Sequence, residues 1–139
     1  MSYSHILMHT IKSHGKWSKQ NPFEASVALD KTKPLAVITR ATIKPLLAYQ
    51  FWKNVPTVSK SMDNYEELIF SKGIGEFPLL MQATFSLWSD ADSMMNYAYK
   101  NPKHAEMVRK TRELNWYSEE LFARFQPFYQ EGNLIPRIL

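Results

Sequence analysis

The stretch LLMQATFSLW, residues 79–88, constrains the fold more than any other part of the chain. Apolar and polar side chains alternate along it, which is the period of a half-buried strand and not of a helix. Leu79, Met81, Ala83, Phe85 and Leu87 share one face, expected to meet helices. Leu80, Gln82, Thr84, Ser86 and Trp88 share the other. This second face is too polar for a dry core and too aromatic at its end for open water, so it is expected to look across a lined cavity toward another sheet.

The remaining elements follow in order. LAVITRATI (35–43) alternates and is rich in β-branched residues, predicting a first strand. Arg40 on it is expected at an edge or in a pocket, because an unpaired buried guanidinium is costly. Pro45 suits the first turn of a helix, and Leu47, Phe51, Val55, Val58 and Met62 recur at helical spacing up to Asp63-Asn64. Pro56 is expected to kink or split this helix. YEELIFSKGIGE (65–76) reads as a second strand turning through Gly73 and Gly75.

Beyond the strand 79–88, Ser89 and Asp92 loosely fit a capping box, and Ala91, Met94, Met95 and Ala98 form a helical stripe. Asn101-Pro102 stops that helix and caps another over 103–114, with Ala105, Val108 and Met107 facing inward. ELFARFQPF (120–128) is the last strand, and Pro127 places its far end at a sheet edge.

The order β-α-β-β-α-β predicts an α+β fold, a ferredoxin-like unit with two helices on one face of its sheet. The opposite, bare face needs a partner, and two units pairing face to face close a dimeric α+β barrel around a pocket. Residues 1–33 are expected to form an ordered N-terminal arm, 34–130 the ferredoxin-like domain and 131–139 a C-terminal tail.

Composition removes several classes of function. The 139 residues contain no cysteine, which excludes disulfides, thiolate chemistry and cysteine-bound metals and points to a cytoplasmic location. No window approaches the ~18 apolar residues of a transmembrane segment, and the N-terminus lacks the pattern of a signal peptide. The net charge of +4 is concentrated in residues 1–33, where five Lys face Glu24 and Asp30; the rest carries 12 basic and 11 acidic side chains. No broad phosphate-binding face, and so no nucleic-acid partner, is expected.

The chain has no GxSxG elbow, phosphate loop or HExxH. Glu66-Glu67 and Glu119-Glu120 are adjacent and not convergent, so hydrolytic acid–base work has no support. His5, His9 and His14 lack an accompanying carboxylate or fourth ligand and read as incidental. His104, in the first turn of a helix whose dipole disfavours imidazolium, reads either as a functional group or as a surface histidine beside Lys103 and Glu106.

The segments GKWSKQNPF (15–23), LAVITRATIKP (35–45), FWKNVP (51–56), KGIGEFPLLMQATFSLW (72–88), HAEMVRKTRE (104–113) and WYSEELFARF (116–125) together resemble the C-terminal half of the spheroidene monooxygenase family. The resemblance implies a dimeric α+β barrel that uses haem to insert oxygen into acyclic carotenoids, with a further ferredoxin-like lobe that this chain lacks. It implies His104 as axial haem and metal ligand, Arg40 and Arg124 as partners of the haem propionates, with Arg109 and Arg112 as further candidates. Gln82 and Thr84 are the implied catalytic donors to dioxygen or substrate. It further implies a homodimer replacing the missing lobe, an apolar carotenoid or other isoprenoid substrate and an unidentified electron donor. The alternatives are a non-catalytic barrel that binds a small apolar ligand and a truncated remnant without haem.

Overall fold

The computed structural model describes residues 2–62, 65–76 and 80–139, the side chains of residues 55, 57–59, 62 and 76 excepted. In chain order the elements are β1 (Ser4–Gly15), β2 (Leu35–Ile43), a short 3-10 turn (Pro45–Leu47), α1 (Ala48–Met62), β3 (Leu68–Glu76), β4 (Met81–Trp88), α2 (Ala91–Lys100), α3 (Pro102–Leu114) and β5 (Tyr117–Gly132). The strands form one antiparallel sheet in the order β1-β5-β2-β4-β3. β2 to β5 alone make the ferredoxin-like arrangement, with β4 inserted between β2 and β3. The α+β fold expected from the sequence is the fold observed.

Residues 1–33 depart from the arm read in the sequence. Their first half is β1, a full edge strand paired with β5 from Ser4 opposite Gly132 to Gly15 opposite Leu121. Its burial alternates almost strictly, although the mixture of Ser, His and Lys hides that period in the sequence. β5 is correspondingly longer than expected and lies inside the sheet. Pro127 lies beyond Phe125, the last β5 residue paired with β2, so this end of β5 is flanked by β1 alone; there Pro127 pairs with Met8 beside a register shift, where an irregular ladder tolerates the missing N–H.

Gly73 and Gly75 do not turn the chain. Both lie within β3, opposite Thr84 and Gln82, and Gly73 has open space where a Cβ would project. The positive-φ glycines are Gly15 and Gly132, at the two ends of the β1–β5 pair. Leu79 and the Asp63-Asn64 helix end lie outside the described residues.

α1 continues through Pro56 without splitting. α2 is capped by Asp90, whose carboxylate accepts from the Ser93 N–H, in place of the Ser89–Asp92 box. α3 starts as expected, with Asn101 as cap and Pro102 in its first turn. Of its expected inward residues, Met107 packs in a core cluster, whereas Ala105 and Val108 are exposed.

The two faces of β4 are the reverse of the expectation. Trp88 packs on Leu35 and on Ala91, Met94 and Tyr97 of α2. Strand alternation then puts Ser86, Thr84 and Gln82 on the same helix-facing side. The Trp88 indole N–H donates to Ser86 Oγ at 3.0 Å, so this polar-looking face satisfies itself and can be buried. Leu87 and Phe85 face away from the helices. That side is not bare at its centre, because Phe23 from the β1–β2 loop and Ile135 and Ile138 from the C-terminus cover it, packing with Ala36, Leu87 and Phe125.

Candidate functional site

Two apolar clusters hold the helices to the sheet at opposite ends of β2. Leu35 anchors α2 through Trp88, Met94 and Tyr97, and Ile43 anchors α1 and α3 through Phe51, Trp116 and Met107. Between these anchors the helix-facing side of the sheet carries Thr39 opposite Thr84 and Ala41 opposite Gln82. Thr39, Gln82 and Thr84 are half-buried. Thr84 Oγ1 approaches Gln82 Oε1 at 3.5 Å, and with that oxygen accepting, the Gln82 amide N–H groups are the donors this stripe offers. The two expected catalytic residues are thus neighbours, on a face covered by the chain's own helices.

His104 lies where α2 turns into α3. Its backbone N–H is capped by Asn101 Oδ1 at 3.0 Å, and its ring packs on Tyr97 with centroids 4.9 Å apart. Nδ1 is 2.8 Å from the Ala98 carbonyl oxygen. A carbonyl can only accept, so Nδ1 carries the proton and Nε2 is left with its lone pair. Burial pushes the His104 pKa down, opposed by the Ala98 hydrogen bond, so the ring is held neutral. Tyr97 in turn stacks on Trp88 at 5.5 Å and meets Tyr65 edge-on at 5.3 Å. Its phenol is pushed up to about 12 by burial. His104 therefore reaches the sheet through Tyr97, and the hydrogen-bond and ring partners it has among the described residues, Asn101, Ala98 and Tyr97, do not include Gln82 or Thr84.

The two arginines expected beside it lie elsewhere. Arg40 faces away from the helices, is 3% exposed and donates to Glu119 at 2.6 Å. The Trp17 ring lies 5.1 Å from its guanidinium. Glu119 also accepts from the backbone N–H groups of Lys19 and Ser18, at 2.8 and 2.9 Å, and these together with Arg40 hold its carboxyl below the usual range. Arg124 is on the helix side, beyond β2 from the polar stripe, and its guanidinium donates to Tyr99 Oη at 3.4 Å. Arg109 pairs with Glu113 within α3.

As a test of the haem expectation, His104 fits as a ligand: neutral, tautomer fixed by a backbone acceptor, Nε2 free of a hydrogen-bond partner among the described residues. Arg40 does not fit a propionate role, being consumed by Glu119 on the opposite face. The three residues do not converge on one haem site. Elsewhere, His5 pairs with Glu131 at 3.1 Å and His9 stacks on Phe128. No group of three or more His, Asp or Glu able to hold a metal occurs among the described residues. Among them, too, no helix is long and apolar enough to cross a membrane.

No family model matches the chain. Curated relatives do. It is 38% identical over 128 residues to the spheroidene monooxygenase of Rhodobacter capsulatus, covering 91% of this chain and 53% of that one. It is 38% identical over 122 residues to the Cereibacter sphaeroides enzyme of the same name, covering 87% and 38%. The chain therefore spans about half or less of the length of the curated relatives it matches. Among solved structures, “Putative monooxygenase” from Fusobacterium nucleatum superposes with a TM-score of 0.65 at 16% identity, over 96% of this chain and 56% of that one. “Putative antibiotic biosynthesis monooxygenase” from Nitrosomonas europaea gives 0.56 at 9% identity, over 79% and 98%. At such identities these two establish the fold alone. The sequence resemblance stands: this chain is a relative of the spheroidene monooxygenases, built on the α+β fold of the antibiotic biosynthesis monooxygenases.

Proposed function

We propose that this chain is a monooxygenase-type protein that oxygenates an apolar substrate of the carotenoid or wider isoprenoid class. The observation that carries this reading is the 38% identity to spheroidene monooxygenases over most of the chain. The substrate lies along the helix-facing side of β2 and β4, where the flanking apolar clusters exclude water and the Gln82 amide donates to an oxygen atom of dioxygen or substrate. A monooxygenation consumes dioxygen, two protons and two electrons and releases one water, so an external electron donor is part of the proposal.

His104 is the residue that would hold a haem, through Nε2, and the chemistry such a group would supply is dioxygen activation. Arg40 takes no part in that site. Two copies of the chain pair through the sheet side that faces away from the helices, at its β3–β4 end, where Ile74 is 57% exposed. In sedimentation velocity at micromolar concentration the protein should run as a dimer, and Ile74→Asp should shift it toward monomer.

The deciding experiment reconstitutes the purified protein with haem and records its absorbance. A Soret band that His104→Ala abolishes supports the ligand role, and consumption of dioxygen with an added reductant and an acyclic carotenoid supports the activity. Saturable carotenoid binding without either signal would make the protein a carrier of apolar ligands instead.

A further inference from the structure

Lys12 and Arg124 stand directly opposite each other on β1 and β5. Like charges so placed destabilise an antiparallel pair. Lys31, from the β1–β2 loop, joins them around a cavity of about 280 Å³ at the amino end of α2. The apolar side of this cavity is Ile11, Leu35 and Met94, part of the core cluster under α2. None of the three cations has an ion pair among the described residues; Arg124 has the Tyr99 hydroxyl alone. Asp92 is the one carboxylate on the lining, which leaves positive charge in excess. Three cations gathered over an apolar floor at a cost to the sheet are explained by an anion that completes them.

We propose that this cavity binds an amphipathic oxyanion, a carboxylate or phosphate headgroup on a short unbranched apolar chain. The headgroup sits among Lys12, Lys31 and Arg124, whose planar fork matches two oxygens at once. The chain lies over Ile11, Leu35 and Met94. The volume of about 280 Å³ is just below the roughly 300–1,000 Å³ typical of small-molecule sites, which limits the chain length. The cavity shares Leu35 and Met94 with the cluster that flanks the Gln82–Thr84 stripe, but its cations come from β1, β5 and the β1–β2 loop and neither Gln82 nor Thr84 lines it, so the proposal does not depend on the monooxygenase reading.

The test titrates octyl phosphate into protein labelled with ¹³C at the methionine methyl groups, with octanoate, octan-1-ol and inorganic phosphate in parallel. Octyl phosphate and octanoate should give saturable shifts at Met94 and Met95, and octan-1-ol and inorganic phosphate should bind at least about tenfold more weakly. Arg124→Gln should weaken octyl phosphate by about tenfold, and so should Lys31→Gln, which lies in a loop outside the sheet and keeps the fold's thermal midpoint. Equal binding of octan-1-ol would overturn the role of the cations. Equal binding of inorganic phosphate would overturn the role of the chain, and no saturable shift at Met94 would overturn the site.

Discussion

The His104 ring donates its Nδ1 proton to the Ala98 carbonyl across 2.8 Å, tying the first turn of α3 to the last turn of α2. The bond fixes the tautomer and the orientation of the one histidine that lies among the helices. Its surroundings favour the neutral ring.

The His104 midpoint, followed by imidazole proton shifts in NMR, should therefore fall below the ordinary value of 6.5. With the folded pKa lowered, the unfolded chain binds more protons between the two pKa values. Stability from this group is complete above about pH 6.5 and declines as pH falls from there to the folded pKa. His104→Gln should remove this part of the pH dependence, as read from urea midpoints at pH 5 and 7.5. An unchanged slope would mean the ring is as hydrated as in a peptide.

Arg40 is nearly inaccessible, and its guanidinium is paired with the Glu119 carboxylate. Removing one partner of a buried pair leaves the other uncompensated, so Arg40→Ala should cost about 3 kcal/mol in chemical denaturation. Glu119→Gln should also lower the denaturation midpoint, and the double variant Arg40→Met with Glu119→Gln should recover much of that loss. The Glu119 carboxyl is held low chiefly by the Lys19 N–H, then by Arg40 and the Ser18 N–H, so its contribution is present above about pH 4.5 and is lost as pH falls through the folded value.

Trp88 is 1% exposed and joins β4 to α2. Trp88→Ala should cost about 3–5 kcal/mol and loosen Tyr97. The Tyr97 phenol, at about 12 in the intact protein, should then titrate nearer 10, measured by ultraviolet absorbance.

Gly15 and Gly132 have φ of +99° and +95°, and a Cβ at either would strike the backbone, at Glu120 and at Tyr3 respectively. Gly15→Ala and Gly132→Ala should each destabilise by more than about 1 kcal/mol, whereas Gly73→Ala, with open space and an ordinary strand conformation, should be neutral or mildly stabilising. Thermal melts of the three variants check the contrast.

Local pattern alone determined most of the elements and their order. The alternation of 35–43 and 81–88, the Asn101-Pro102 start of α3 and the helical stripe of α2 each depend on neighbours within a turn or a pleat, which a sequence displays directly. Which side of β4 meets the helices was decided elsewhere. Trp88 satisfies its N–H on Ser86, while distant Phe23, Ile135 and Ile138 cover Phe85 and Leu87, and side-chain polarity along ten residues carries no record of either event. The same holds for β1, whose partner is more than a hundred residues away, and for the candidate site. Arg40 stands opposite Leu121, three positions from Arg124 on β5, and that odd separation, which puts the two arginines on opposite faces, exists only once the register between β2 and β5 is set. Periodicity fixes what a segment becomes; the pairing of segments, a long-range choice among packed surfaces, determines which charges meet.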